Sequence, residues 1–371
     1  MKTALVLGAN AGQADLIRHL KDTGWRVCVC AGREGEPGAR IADRFFHVDI
    51  TDIVALPRIV QEEKVDLVYS ISSDIGIRSA TKLAEVTGRP HFYDSDFIDL
   101  LDDKAALRGF LAKAGLDAVR FMRVESEKEA SGWGGYPCVV KPLDAQGQRG
   151  VVRLETPEGL DEALEKAITL SPSGQAIVEE LLEGVEISCN VLTVGGEIRI
   201  LQVSERLVHT DIGFGIPKGH LIPTVNVTKE HVAEAERKVE AIVKALGMRD
   251  GPLYFQMIVT AAGPRIIEIA PRLDGCHMWR LIRAATGVDL LAAVVDALAG
   301  ETPEVSAPQS HEAVMELMFQ QTGPGIVFRK ADFLAPDDFL HHEYRYEDGA
   351  EVLPINGACE VVGYYVLTST E

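Results

Sequence analysis

Short apolar runs and amphipathic stretches alternate over the first hundred residues. The runs at 3–7, 26–30, 45–48 and 66–70 are β-type, and helical periodicity fills the gaps, as at 13–23 ahead of Gly24. Such alternation predicts a parallel sheet flanked by helices. Beyond residue 100 the pattern changes. Helices are expected from Asp102 to about Gly115 and over 156–170, 229–246 and 278–286, the last closed by Gly287. A β-type run is expected at 137–142, and a strand, short linker and strand at 176–188. Residues 203–224 carry three glycines and two prolines and read as a loop beside a cleft. Residues 307–371 read as a small, mainly β module with turns at 322–325 and 348–349.

The densest patterning lies at 253–275. Residues 254–260 and 265–270 are rich in aromatic and β-branched side chains, and Ala261-Ala262-Gly263-Pro264 between them is turn chemistry. A three-residue loop centred on Ala262, with Gly263 in the left-handed conformation, sets Gln256 opposite Glu268. Alternation then puts Tyr254, Gln256, Ile258, Ile266, Glu268 and Ala270 on one face. Gln256 and Glu268 are the strong oxygen donors of that face, and Arg272 follows closely. Two adjacent hard-oxygen side chains suit a magnesium ion bridging phosphate groups. A half-buried hairpin with one solvated polar pair would read the same way.

Composition narrows the class. With 46% apolar and 25% charged residues over 371 positions, this is an ordinary globular chain of about two to four folded units. A net charge of −19 and a pI near 5.0 argue against nucleic acid and anionic membrane as partners. No apolar run approaches spanning length, and the run after Met1 is too short for a signal peptide, so a cytoplasmic location is expected. The six cysteines form no C-x-x-C and no zinc spacing, and are expected as buried thiols. An anionic nucleotide would have to be held by local lysines, arginines and backbone amides.

Candidates for that task recur along the chain. Lys104 and Arg108 lie one turn apart on the expected helix after Asp102, where they also fit a solvated face. Lys141 ends a β run just before the glycine-bearing stretch 144–151. An ammonium there can sit on phosphate oxygens while loop amides close over them, although a surface hairpin carries the same pattern. This is not a Walker A loop, because the lysine precedes the glycines.

Glu268-Ile269-Ala270-Pro271-Arg272 resembles the E-x-N-x-R metal strand of ATP-grasp ligases, in the branch with carbamoyl-phosphate synthase, biotin carboxylase and L-amino-acid ligases. The other pieces follow that family's order over roughly residues 100–300. The resemblance implies an α/β and α+β multidomain chain: a parallel pre-ATP-grasp domain at 1–100, an ATP-grasp domain at 101–305 with a lid subdomain at about 118–182, and a C-terminal β cap at 306–371. It implies ATP with one or two Mg²⁺ ions. Lys104 and Lys141 would meet the phosphates, and Gln146, Gly147, Arg149 and Gly150 would form the lid loop. Glu179, Glu180 and Leu182 would face the adenine, and Glu186 would take the ribose hydroxyls. Gln256 and Glu268 would hold the metal, while Arg272 and Lys141 would stabilise the transferring phosphoryl group. Gly219-His220-Leu221-Ile222-Pro223-Thr224 matches a G-H-x-x-P-[ST] segment of related ligases, so His220, Arg272, Asp274, Gly275 and Ser73 would border the substrate. Ala270 departs from the family's asparagine, and Asp274 and Cys276 depart from its G-G.

The implied activity is an ATP- and Mg²⁺-dependent carboxylate–amine (or carboxylate–nucleophile) ligase working through an acyl phosphate, with an amino acid as one candidate substrate. The alternatives are a bicarbonate- or biotin-type carboxylase sharing the ATP site, and a non-catalytic ATP-binding protein. A dehydrogenase is disfavoured, because the Gly8–Gly12 loop lacks G-x-G-x-x-G. Expected partners are a small-molecule carboxylate and a nucleophile, with no nucleic acid and no membrane, and with room for a homodimer.

Overall fold

The computed structural model describes residues 1–145, 149–209, 212, 215–305, 313–354 and 359–369, without the side chains of Glu127, Lys128 and Ser131. Its first unit runs β1 (Thr3–Leu7), α1 (Ala11–Asp22), β2 (Arg26–Ala31), α2 (Pro37–Ile41), β3 (Arg44–His47), α3 (Ala55–Glu62), β4 (Leu67–Tyr69) and α4 (Asp74–Thr87). The four strands form a parallel sheet in the order β3-β2-β1-β4, as the alternation predicts. Both faces are buried: Leu5, Leu7, Cys28 and Cys30 pack on one side, Ala4, Val6, Val27 and Val29 on the other. The helix α1 begins two residues before the expected start, because the Asn10 side chain accepts from the Gln13 amide at 3.1 Å and caps it. Helices α5 (Ser95–Asp102) and α6 (Lys104–Lys113) lead out of this unit, with Asp103 capping α6.

A small antiparallel sheet follows, in the order β5-β8-β6-β7. It consists of β5 (Phe121–Val124), β6 (Cys138–Pro142), β7 (Val152–Leu154) and β8 (Ala176–Glu180), with α7 (Leu160–Leu170) packed on one face through Leu160, Ala163, Leu164 and Ala167.

The largest sheet has eight strands. In chain order its elements are β9 (Val185–Val194), β10 (Glu197–Val208), β11 (Pro217–Ile222), α8 (Lys229–Ala245), β12 (Gly251–Thr260), β13 (Gly263–Ala270), α9 (Met278–Thr286), α10 (Leu290–Leu298), β14 (Met315–Thr322), β15 (His341–Tyr344) and β16 (Glu360–Thr368). The strands stand in the order β13-β12-β9-β10-β11-β14-β16-β15, so those after residue 306 extend the central sheet. Ile187, Cys189, Phe255, Met257 and Ile269 join one core with Ala235, Val239 and Ile242 of α8. Among the described residues no helix is long and apolar enough to cross a membrane.

Two expectations are corrected here. Most of 203–224 is strand, not loop: Ser204 pairs with Ser188, and β11 pairs with both β10 and β14. Gly219 does not break the strand but lets it approach its neighbour, since a Cβ there would stand 2.5 Å from Leu317 O. The hairpin turn also differs. Thr260 pairs with Gly263, leaving a two-residue turn, and the register then shifts by one residue between Gln256 and Met257. The shift skips Ile267 and restores the expected pairing of Gln256 with Glu268, but turns Ile266 into the core. Ile266 therefore does not share the face of Glu268.

Candidate active site

The cleft between the two later sheets is built on the polar face of the larger one. Alternation puts Glu186, Ser188 and Asn190 of β9 on the sheet face opposite to the core residues Ile187, Cys189 and Val191. Across the sheet, Glu268 faces Gln256, Gln256 faces Ser188 and Ser188 faces Ser204, while Arg206 faces His220. Gln256 Nε2 donates to Glu186 Oε2 at 2.9 Å, which leaves the Gln256 amide oxygen for another partner. Glu268 makes no hydrogen bond or ion pair among the described residues and lines a cleft with Lys104, Arg108, Asp144, Asp74 and Ala270. A carboxylate and an amide oxygen, adjacent and uncommitted, fit a magnesium ion. Such an ion would neutralise charge on bound phosphates.

The bulge that sets this register is held from outside its own sheet. Asp117 accepts from the Ile266 amide at 2.9 Å, and Arg108 donates to Ile266 O at 2.5 Å and Ile267 O at 3.3 Å. The same guanidinium grips Glu179 of the smaller sheet, at 2.7 Å to Oε1 and 3.2 Å to Oε2. Lys141 stands 2.5 Å from the other side of Glu179. Burial opposes the charge on Glu179, yet Arg108 and Lys141 together draw its carboxyl down to about 2. Burial also lowers the Lys141 ammonium from its ordinary value, against the pull of Glu179. The Glu179 side chain is thus a buried anion between two cations. Lys104 Nζ donates to Leu143 O and Ala145 O, both at 3.1 Å, and so tethers the start of the loop after β6. Asp102, on the same cleft, is pushed up to about 6 by burial and by Asp74, against Arg78.

The remaining nucleotide-side candidates lie near by. Glu180 Oε1 accepts from the Arg120 amide at 2.8 Å, and half-buried Leu182 sits in the linker between β8 and β9. At the end of that linker Gly184 has φ +153°, and a Cβ would fall 2.0 Å from Val259 O, so the linker lies directly on β12. Glu186 is half-buried and pairs with Arg206 at 2.8 Å. Arg149 is exposed, and Gly150 at φ +76° packs where a Cβ would meet Leu170 and Pro142. Gln146 and Gly147 lie outside the described residues.

On the far side, Arg272 is fixed by Asp74 of α4, through Nε and through Nη2 at 2.9 Å, and its guanidinium lies 5.7 Å from the Tyr254 ring centre. Burial disfavours its charge, but Asp74 outweighs burial and holds Arg272 above the ordinary range. Ser73 caps α4 through Gly76 N at 3.1 Å, and Leu273 N donates to Ile71 O at 3.1 Å. The loop between β4 and α4 therefore lies against 272–275, with Gly275 facing Ser72. His220 is fully buried, and burial pulls its imidazole down to about 4. Asp274 is 2% exposed and accepts from the Cys276 amide at 2.9 Å. Sequence reasoning passed over Ser188, Asn190, Ser204 and Asp102. The polar–apolar alternation of Glu186-Ile187-Ser188-Cys189-Asn190 was the signal for the first two.

This architecture is the ATP-grasp fold, and residues 134–279 match the family model of the ATP-grasp domain. The carbamoyl phosphate synthase large chain of Mycobacterium tuberculosis is 27% identical over 268 residues, 67% of this chain but only 23% of that protein. This chain thus spans about a quarter of the length of such relatives. An L-amino acid ligase from Bacillus licheniformis superposes with a TM-score of 0.82 at 18% identity, covering 100% of this chain and 94% of that one. The biotin carboxylase domain of a Hydrogenobacter thermophilus 2-oxoglutarate carboxylase, crystallised with MgADP and bicarbonate, gives 0.81 at 16% identity, covering 99% and 86%.

Proposed function

We propose that this protein is an ATP- and Mg²⁺-dependent ligase that joins a small carboxylate to an amine or other nucleophile. The observation that carries this reading is the uncommitted Glu268 paired with Gln256 on the cleft that Lys104 borders. In the proposed reaction a substrate carboxylate oxygen attacks the γ-phosphorus and ADP leaves. The nucleophile then attacks the acyl carbon, inorganic phosphate departs and the amine proton passes to solvent. Arg272, held by Asp74, and Lys141, held by Glu179, are oriented before ligand arrives and would stabilise charge on the transferring phosphoryl group. The linker at Glu180–Leu182 would supply backbone groups to the base and Glu186 an acceptor for the ribose hydroxyls. His220, Asp274, Gly275 and Ser73 border the side left for the acceptor.

A panel of amino acids and small acids tests this, with ADP and phosphate release as the readout and mass spectrometry of the product. Turnover that needs a carboxylate–nucleophile pair supports the ligase, and turnover stimulated by bicarbonate alone replaces it with a carboxylase. Ala270 favours a second reading, because its methyl group cannot coordinate a second ion. ATP binding without turnover over the whole panel would establish that non-catalytic reading.

A further inference from the structure

Three side chains that the phosphate site does not use converge where β11 meets the segment after β13. His220, Asp274 and Cys276 bring a ring nitrogen, a carboxylate oxygen and a thiol within 4.8 Å of one another. His220 comes from β11 and Asp274 and Cys276 from the segment after β13, so no spacing within one stretch announces all three. His220 is 0% and Asp274 2% exposed, while Cys276 is half-buried and leaves an approach.

Part of each buried ligand is already engaged. The His220 Nδ1 atom lies 3.5 Å from Ser204 Oγ, and Asp274 Oδ1 accepts from the Cys276 amide at 2.9 Å. The other atoms, His220 Nε2 and Asp274 Oδ2, are buried with no hydrogen-bond partner among the described residues. Ser188 Oγ and Arg206 Nε on the same face are also buried without a partner, and two such atoms on ligating side chains 4.8 Å or less apart point to a ligand that takes both. A metal-bound histidine commonly has its second nitrogen held in the way Ser204 stands beside Nδ1.

We infer that His220, Asp274 and Cys276 form a three-ligand site for a borderline-soft divalent cation of the zinc class. Imidazole nitrogen, carboxylate oxygen and thiolate sulfur are the donors zinc accepts, whereas magnesium takes an all-oxygen shell such as Glu268 and Gln256 offer. Carboxylate and thiolate together balance a doubly charged ion, and the thiol proton leaves to solvent on binding. Arg206 does not stand against the cation uncompensated, because Glu186 pairs with it at 2.8 Å. Three protein ligands leave a fourth tetrahedral position open to water or to an acceptor group. The inference goes beyond the ligase reading and holds or fails without it.

The test is cobalt titration of the chelator-treated full chain in excess Mg²⁺. One equivalent should give tetrahedral d–d bands and a sulfur-to-cobalt charge-transfer band, both removed by Zn²⁺. Cys276→Ser should abolish the charge-transfer band, and His220→Ala should weaken cobalt binding by about tenfold or more. A circular dichroism melt of Cys276→Ser, nearly isosteric with the parent, checks that loss of the band is not loss of the fold. Absence of a charge-transfer band in the parent chain, or its survival in Cys276→Ser, overturns the site.

Discussion

At the scale of single residues the cleft turns on which oxygen atoms remain uncommitted. Gln256 spends its amide nitrogen on Glu186, and Glu268 has no partner among the described residues, so the pair can share one ion. Glu268 is the carboxylate of that pair. Glu268→Gln is therefore expected to damage ATP turnover far more than Gln256→Ala. Ala270→Asn, which adds an amide oxygen on the same face, should lower the Mg²⁺ concentration for half-maximal ATP hydrolysis. A Mg²⁺ titration of the three variants checks this, and an unchanged midpoint in Ala270→Asn removes Ala270 from the metal's surroundings. Glu186 poses a sharper problem, because its carboxylate already holds Arg206 and Gln256. Glu186→Ala disturbs those partners whatever nucleotide is bound. The comparison of ATP with 2′,3′-dideoxy-ATP cancels that disturbance. ATP should lose about 1.5–3 kcal/mol more binding free energy than the dideoxy nucleotide, the worth of a charged hydrogen bond. Equal losses in calorimetry would show that Glu186 does not touch the sugar.

At the scale of elements, the bulge in β13 is the feature on which the site depends. Arg108 on α6 holds both the bulge carbonyls of the larger sheet and Glu179 of the smaller one. Arg108→Met is expected to cost about 3–5 kcal/mol, as removing one member of a buried pair does. It should also weaken Mg²⁺ binding, because the bulge sets the register of Glu268. The acid limit follows from the same cluster. Glu179 titrates at about 2 in the fold against an ordinary 4.5, so its stabilisation is complete above 4.5 and is lost as pH falls from there toward 2. His220 adds a loss in the same direction, from 6.5 down to about 4, because acid charges the free imidazole more readily than the buried one. Without Arg108 the Glu179 carboxyl moves back up toward its ordinary 4.5, so the urea midpoint of Arg108→Met should fall less steeply below pH 4.5 than that of the parent chain. The pairing of Gln256 with Glu268 was legible in the sequence, because turn residues and alternation both bear on it. The bulge was not, because the turn and the skipped Ile267 compensate each other. The strands β10 and β11 were misread for a related reason: Gly219 marks a close approach of backbones, which looks like loop chemistry until the neighbouring strand is in place.

At the scale of the whole molecule, one buried cluster ties together segments far apart in the chain. Asp15 of α1 accepts from Trp279 Nε1 at 2.9 Å, Arg280 Nη2 at 2.6 Å and Arg18 Nη1 at 3.0 Å, and lies 3.5 Å from His277 Nδ1. The other face of His277 stacks on Tyr364 of β16 with ring centres 4.4 Å apart, and its Nε2 lies 3.3 Å from Arg345. His277 itself has φ +57°, a conformation that costs a non-glycine residue free energy and persists only where its surroundings enforce it. The first unit, the start of α9 and the last strands thus meet on Asp15. Burial raises the Asp15 carboxyl, but the His277 hydrogen bond and the charge of Arg280 outweigh it and hold the group well below the usual carboxylate range. The carboxylate is therefore a stabilising anion at neutral pH, and its contribution is present above the ordinary 3.8 and lost below it. Asp15→Asn keeps the shape, removes the charge and leaves Arg280 without its anion. The expected loss is about 3–5 kcal/mol at pH 7, and it should shrink as pH falls below the carboxylate range, where the parent chain loses the same charge. The partners of Asp15 are Arg18, His277, Trp279 and Arg280, none of which is proposed to hold nucleotide or magnesium, so magnesium–ADP affinity, measured well below the melting temperature, should stay within about twofold of the parent. Urea melts of both chains at pH 7 and pH 3, with nucleotide binding by calorimetry, check both halves. A midpoint at pH 7 that Asp15→Asn leaves unmoved would mean that the three segments are held together by apolar packing and not by this carboxylate.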